Sequence, residues 1–216
     1  MTPLYKKFSQ RLQENWPPTS DFNGLLLLSK RMAPQDWQKY LKFRCTGCGN
    51  CCRETIVCIT DADVRRIVDA TGRSPLQFVR FYTHDEISMS TSDPLWLKFN
   101  GEKAVMALRS IQDRCIFLDN ETNLCTIYEH RPVTCRDHPF NITFSDTGAV
   151  EKISLSRIVK CPHAWDGNIS RRDLRRVQTR NERQEESYIK KVKEWNKMKG
   201  GPRTRPAFLR FLGFSL

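Results

Sequence analysis

The apolar positions of the chain change period several times, and the changes mark its elements. Tyr5, Phe8 and Leu12 recur at spacings of three and four, the pattern of a short amphipathic helix, and Pro17-Pro18 ends it. A second helix is expected over residues 33–41, with Trp37, Tyr40 and Leu41 on one face. Residues 54–60 alternate weakly and are β-branched, which suits a strand. Thr60 then has the chemistry of an N-cap, followed by Asp61 and Asp63 in the first turn, a stripe of Val64, Ile67 and Val68, and Gly72 as terminator. Ser74-Pro75 opens another short helix, expected to run through Phe81. Residues 95–110 read as two strands around Asn100-Gly101, a strong hairpin signal. A short strand is expected at Cys115-Ile116-Phe117-Leu118, then a polar turn over 119–123 leading to Cys125. Residues 141–145 and 150–156 form a further hairpin.

Residues 170–199 read as one long helix that Ser170 caps and Gly200-Gly201-Pro202 ends. Leu174, Val177, Ile189, Val192 and Trp195 supply only an incomplete apolar stripe, while eleven Lys and Arg stand against five Asp and Glu. A basic, aromatic tail follows, with Arg203, Arg205, Phe208, Phe211 and Phe214. The expected class is α+β: small antiparallel strands and short helices around a cysteine-bound metal centre, with a long C-terminal basic helix. The segments are an N-terminal arm (1–42), a cysteine cluster domain (43–168) and the basic helix with its tail (169–216).

Composition narrows the class. The 216 residues are 39% hydrophobic and 28% charged, an ordinary globular balance. The longest aliphatic run, residues 25–28, falls far short of the roughly 20 apolar residues that span a bilayer. Met1-Thr2-Pro3-Leu4-Tyr5-Lys6-Lys7 has no apolar stretch behind it, so no signal peptide is expected and the cytoplasm is the expected compartment. In a reducing compartment, nine cysteines point to metal or redox chemistry rather than a disulfide framework. Part of the formal +12 charge would be offset by metal-bound thiolates, because a coordinating thiol is deprotonated.

The cysteines are not scattered. Cys45, Cys48 and Cys51 stand at successive intervals of three in a loop that also holds Gly47, Gly49 and Asn50, so one loop grips one centre from several sides. Cys161 precedes Pro162, as the distant fourth cysteine of a ferredoxin run precedes proline. Cys52 is vicinal to Cys51, and neighbouring side chains are expected to face different ways, toward two centres or one toward a centre and the other toward the core. Cys115, Cys125 and Cys135 recur at intervals of ten. One division puts Cys45, Cys48, Cys51 and Cys161 at one site and Cys52, Cys115, Cys125 and Cys135 at the other. Cys58, between Val57 and Ile59, reads as a small core hydrophobe. His138 and His163 lie near cysteines and could be ligands, though packing or hydrogen bonding is the reading favoured, and His84 and His130 read as surface or turn positions. Four-thiolate sites suit zinc and iron–sulfur alike, and the presence of only one C-x2-C run favours iron–sulfur.

Phe43-x-Cys45-x2-Cys48-Gly49-x-Cys51-Cys52, then Cys115-x-Phe117-Leu118, then Cys125-Thr126-Ile127-Tyr128-Glu129-x-Arg131-Pro132-x2-Cys135-Arg136-x2-Pro139-Phe140, resemble the YkgJ-type CxxCxxCC cysteine cluster family over residues 43–165. The resemblance implies a zinc- or iron-chelating domain. Flagellin lysine N-methylases contain a similar cluster and are iron–sulfur proteins, so it also implies iron–sulfur as an option. His138 departs from the aromatic residue the family usually carries there. Arg131 and Arg136 fit two roles equally, tuning clustered thiolates or forming surface salt bridges.

Three functions follow as expectations. The first is a redox, metal-handling or sensing module with a protein or redox partner. The second is an enzyme by analogy with the methylases, although there is no nucleotide-binding glycine loop after a strand and no Ser/His/Asp arrangement. The third, least favoured, is nucleic-acid binding through the basic helix.

Overall fold

The computed structural model describes residues 36–53, 55–145, 150–156 and 161–216. The helix read on Tyr5, Phe8 and Leu12 lies outside the described residues, as do the side chains of Trp37, Leu174 and Val177. The α+β class holds, with small antiparallel strands and a long C-terminal helix.

The core is built on a three-stranded antiparallel sheet ordered β2–β4–β3, from Val79–Thr83 (β2), Leu97–Lys98 (β3) and Lys103–Leu108 (β4). The Asn100-Gly101 turn forms as read: Leu97 pairs with Ala104 and Lys98 with Lys103, with Gly101 at φ 78°. Because β3 is only two residues long, it leaves much of one edge of β4 open. Residues 57–59 take that place, with Ile59 N donating to Met106 O at 3.1 Å and Leu108 N to Val57 O at 2.9 Å. The strand expected over 54–60 is thus an isolated bridge, Cys58 to Ala107.

Helix α1 (Asp61–Thr71) starts and stops where its sequence dictates. The Thr60 hydroxyl accepts from Asp63 N at 3.2 Å, and the Asp63 carboxylate accepts from Thr60 N at 2.9 Å, a reciprocal capping box. Helix α2 (Pro75–Phe78) is shorter than read. The chain leaves it at Val79 because residues 79–83 pair in full register with β4, from Val79–Leu108 to Thr83–Ala104. Long-range pairing outcompetes a marginal helix of this length.

Two small hairpins and one long-range ribbon carry the remaining strands. Ser110–Ile111 (β5) pairs with Arg114–Cys115 (β6), so the strand expected over 115–118 ends at Cys115. Helix α3 (Val133–Asp137) precedes the expected hairpin of Phe140–Phe144 (β7) and Val150–Leu155 (β8). Arg44–Cys45 (β1) pairs with His163–Ala164 (β9). Gly167 lies beside this ribbon, and its backbone runs so close to residue 43 that a Cβ would sit 2.4 Å from Phe43 O.

The long helix α4 (Arg171–Lys197) joins the core rather than standing apart. Tyr188, Val192 and Trp195 are buried in the same cluster as the sheet, and α5 (Arg205–Phe211) adds Phe208 and Leu209. The Trp195 and Phe208 rings meet edge to face at 5.2 Å, worth about 1 kcal/mol beyond their burial. Trp195 Nε1 donates to Lys98 O at 3.0 Å, while Asn196 accepts from Lys98 N at 2.8 Å and donates to Trp96 O at 2.7 Å. These side chains stand in for a missing strand on the outer edge of β3. The basic face of α4 is therefore the solvent side of a core helix. No helix among the described residues is long and apolar enough to cross a membrane.

Candidate metal centre

None of the nine cysteines is in a disulfide, and all but the exposed Cys45 are half-buried. The cysteine loop begins at β1 and turns through a 3-10 segment, Asn50–Cys52. Gly49 at φ 73° makes that turn, and a Cβ there would lie 2.9 Å from Asn123 O and 3.1 Å from Leu118, so the loop packs against the 118–124 turn. Arg53 ties the two together, donating to Cys48 O at 3.2 Å and to the Asn123 side chain. The Thr55 hydroxyl donates to Cys51 O at 2.7 Å, and the Thr46 hydroxyl donates to Pro162 O. Nothing in the spacing marked Arg53, Thr46 or Thr55, because their partners are carbonyls brought near only by the fold.

The cysteines fall into two neighbourhoods that meet at Cys51. In the first, β1–β9 pairing sets Cys45 across from His163 and close to Cys161. Burial pushes the Cys161 thiol up to about 11, and the nearby Cys48 and Cys45 thiols, then Cys51, raise it too. In the second, Cys115, Cys125 and Cys135 lie near Cys51, and Cys52 lies near Cys51, Cys115 and Cys125. Burial raises Cys115 to about 11, with Cys125 and Cys51 adding to it. It also raises Cys125, and it lifts Cys135 well above its ordinary value with help from Cys115, Cys51 and Cys125. Hydrogen bonding with Cys51, then burial, then the charges of Cys51, Cys115 and Cys125 raise Cys52. Buried thiols crowding one another each favour the protonated form.

The vicinal pair does not diverge as the sequence suggested. Cys51 Sγ and Cys52 Sγ lie 4.0 Å apart across the 3-10 segment. Two thiolates on one tetrahedral ion at 2.3 Å are about 3.8 Å apart, so this pair suits one shared ion or two adjacent ones.

Backbone amides reach three of the sulfurs, each from two residues onward. Gly47 N lies 3.4 Å from Cys45 Sγ. The amides of Phe117 and Ile127 hydrogen-bond the Cys115 and Cys125 thiols and pull their values down against burial. An amide aimed at sulfur stabilises thiolate and therefore a thiolate-bound metal. The donor set, all sulfur with amide support, fits a zinc or iron–sulfur group. Among the described residues, no three His, Cys, Asp or Glu side chains form a closed ligand set.

Cys58 stands apart, packed against the main core with its thiol 3.8 Å from Met89 Sδ. His163 Nδ1 is 2.8 Å from Cys161 O, and its ring packs on Trp165 and Phe43. His138 is half-buried with Nε2 unpartnered, and burial lowers its imidazole below the ordinary value. His84 lies by Trp96, and His130 ends the 3-10 turn Tyr128–His130.

Arg131 stacks on Tyr128 with its guanidinium 3.6 Å from the ring centroid, and its charge lowers both Cys125 and Cys135. Arg136 donates to Arg131 O at 3.0 Å and to Glu129 O at 2.8 Å. Burial, then Arg66, Arg180 and Arg131, hold its own guanidinium below the ordinary value. Neither arginine pairs with a carboxylate among the described residues. Asp63 joins this region to the core: beyond its capping role, it is bound by the Arg66 guanidinium and accepts from Val133 N at 3.1 Å, where α3 begins.

Residues 44–158 match the CxxCxxCC family, described as a "putative zinc- or iron-chelating domain". An uncharacterised protein of Methanocaldococcus jannaschii is 27% identical over 124 residues, covering 55% of this chain and 56% of its own. The chain thus spans about half the length of the curated relative it matches. No solved structure matches.

Proposed function

From the premise that the chain belongs to the CxxCxxCC family of zinc- or iron-chelating domains, we propose that it carries iron–sulfur on eight cysteines in two adjoining sites. Family membership supports metal binding. The finer reading divides the ligands into Cys45, Cys48, Cys51 and Cys161 at one site and Cys52, Cys115, Cys125 and Cys135 at the other. The observation that carries it is the meeting of two thiol neighbourhoods at Cys51, with amide donors on Cys45, Cys115 and Cys125. An iron–sulfur group there would supply one-electron chemistry. The chain's own part would be to hold the thiolates, direct amides at them, and counter their charge through Arg131. The role is redox or metal handling, with a redox partner protein in the cytoplasm.

Zinc is the second reading, favoured by the Cys51–Cys52 separation, close to the edge of a tetrahedral thiolate site. Anaerobic purification with metal and acid-labile sulfide analysis and a visible spectrum decides between them. Brown protein containing sulfide supports iron–sulfur, whereas colourless protein with stoichiometric zinc overturns it. Cys161→Ser and Cys135→Ser should each lose metal from one site, while Cys58→Ser should keep the full complement. Equal loss from all three would overturn the ligand division.

A further inference from the structure

A cleft of about 520 Å³ opens between α1 and α4, away from the cysteines and unused by the metal-binding reading. Arg65 and Arg66 line it from α1, Arg180 and Lys191 from α4, and His130 lines it as well. Its carboxylates are Asp61, which Lys191 already pairs, and the exposed Asp69 at the rim. Arg66 is spent on the buried Asp63 and on Arg131 O at 3.0 Å. Two cations are then left over on opposite walls. Arg65 lies over the Phe214 ring and donates to Leu212 O at 3.3 Å, and neither it nor the exposed Arg180 has a carboxylate partner among the described residues. Behind the cleft, Arg66 and Arg136 donate to the same carbonyl, that of Arg131, so further positive charge is packed close by.

Like charges held this close repel, and an anion between the walls relieves the repulsion. Guanidiniums match phosphate oxygens through paired N–H donors. The volume lies within the range of small-molecule sites. Ala62 and Ala70 are the apolar lining residues, and no Phe, Tyr or Trp lines the cleft. The pattern suits a ligand held by charge rather than by a ring.

We propose that this cleft binds a small phosphate-bearing anion, gripped between Arg65 of α1 and Arg180 of α4. The site is independent of the metal reading and is tested on the full, metal-loaded chain. Inorganic pyrophosphate, titrated calorimetrically at low salt, should bind saturably at one site and weaken as salt rises. Arg180→Glu should weaken it by about tenfold or more, equivalent to about 1.4 kcal/mol. Arg180→Gln should weaken it by a smaller factor, with the melting temperature unchanged in both. Arg172→Glu makes the same charge change on an exposed position of the same helix outside the cleft, and should leave affinity within about twofold. Absence of saturable binding at low salt would overturn the proposal. So would equal losses from Arg180→Glu and Arg172→Glu, which would mean a diffuse basic surface of the kind RNA uses.

Discussion

Around β4, Ala104, Val105 and Ala107 are wholly buried, and Phe78, Trp195 and Phe208 close over them within one apolar cluster. Around the cysteines, β1, β5, β6 and β9 are two residues long each, and Cys45 is exposed. The sheet side buries side chains worth about 1.5–3 kcal/mol apiece. The side carrying Cys45, Cys48 and Cys161 has paired ribbons and side-chain ties, such as Arg53 to Cys48 O, in place of a comparable core, whereas Cys115, Cys125 and Cys135 pack on the sheet's own cluster. An isolated two-stranded ribbon is marginal in water. The difference teaches where a bound metal acts: it takes the place of a hydrophobic core on the side that lacks one, because ligation supplies folding free energy directly.

Removing the metal should therefore divide the molecule. Structural thiolate sites contribute on the order of 10 kcal/mol. After chelation, hydrogen exchange should speed to near-solvent rates in residues 44–52 and 161–164. Residues 79–83, 103–108 and 188–195 should keep their protection. If both sides lose protection together, the contrast is false.

The converse experiment strikes the sheet side. Trp195→Ala removes a ring that is 2% exposed and touches Phe99, Phe208 and Phe211. It should cost about 3–5 kcal/mol in urea unfolding, with metal stoichiometry unchanged in the protein that stays folded. Loss of metal in proportion to stability would mean that the sites depend on this core.

Proton linkage sharpens the cysteine side. Burial raises the Cys115 and Cys161 thiols in the folded chain from 9.0 to about 11. Their contribution to metal-free stability is fully present below pH 9 and falls away as pH climbs from about 9 to 11. Metal affinity runs the other way, rising with pH because each bound thiol must first lose its proton. Titration with metal in weakly buffered solution should release roughly two or more protons at neutral pH. No proton release would show that the ligands were already thiolate or were other residues.

The smallest effect lies at the seam. Thr60 caps α1, and its hydroxyl receives Gln184 Nε2 from α4 at 2.6 Å. Thr60→Ala should cost about 1 kcal/mol in the urea midpoint without changing metal content.

Much of this was legible along the chain where the determinants are local. Thr60, Asp63 and Gly72 bound α1 because a capping box and a left-handed glycine act within a few residues. Asn100-Gly101 turns β3 into β4 for the same reason. The cysteine spacing and the resemblance it carries point to the family through residue type and short intervals alone. The failures were at places where a distant partner prevailed. The helix after Pro75 stops at Phe78 because β4 claims the next five residues. The 54–60 strand shrinks to one bridge because only part of the edge of β4 is open to it.

By itself, then, the sequence determined the α+β class, the caps and turns, and a cysteine set of metal-binding type, all of which depend on residue type and short spacing. Only the tertiary structure decided that Cys51 and Cys52 converge, since their separation follows from the 3-10 turn that Gly49 and the 118–124 segment impose. It alone showed the basic helix to be a core element, because three buried residues on one face outweigh a charged outer surface that costs nothing in water. And it alone brought Arg65 and Arg180, 115 residues apart, to one cleft, since charge along a chain says nothing about which walls will face each other.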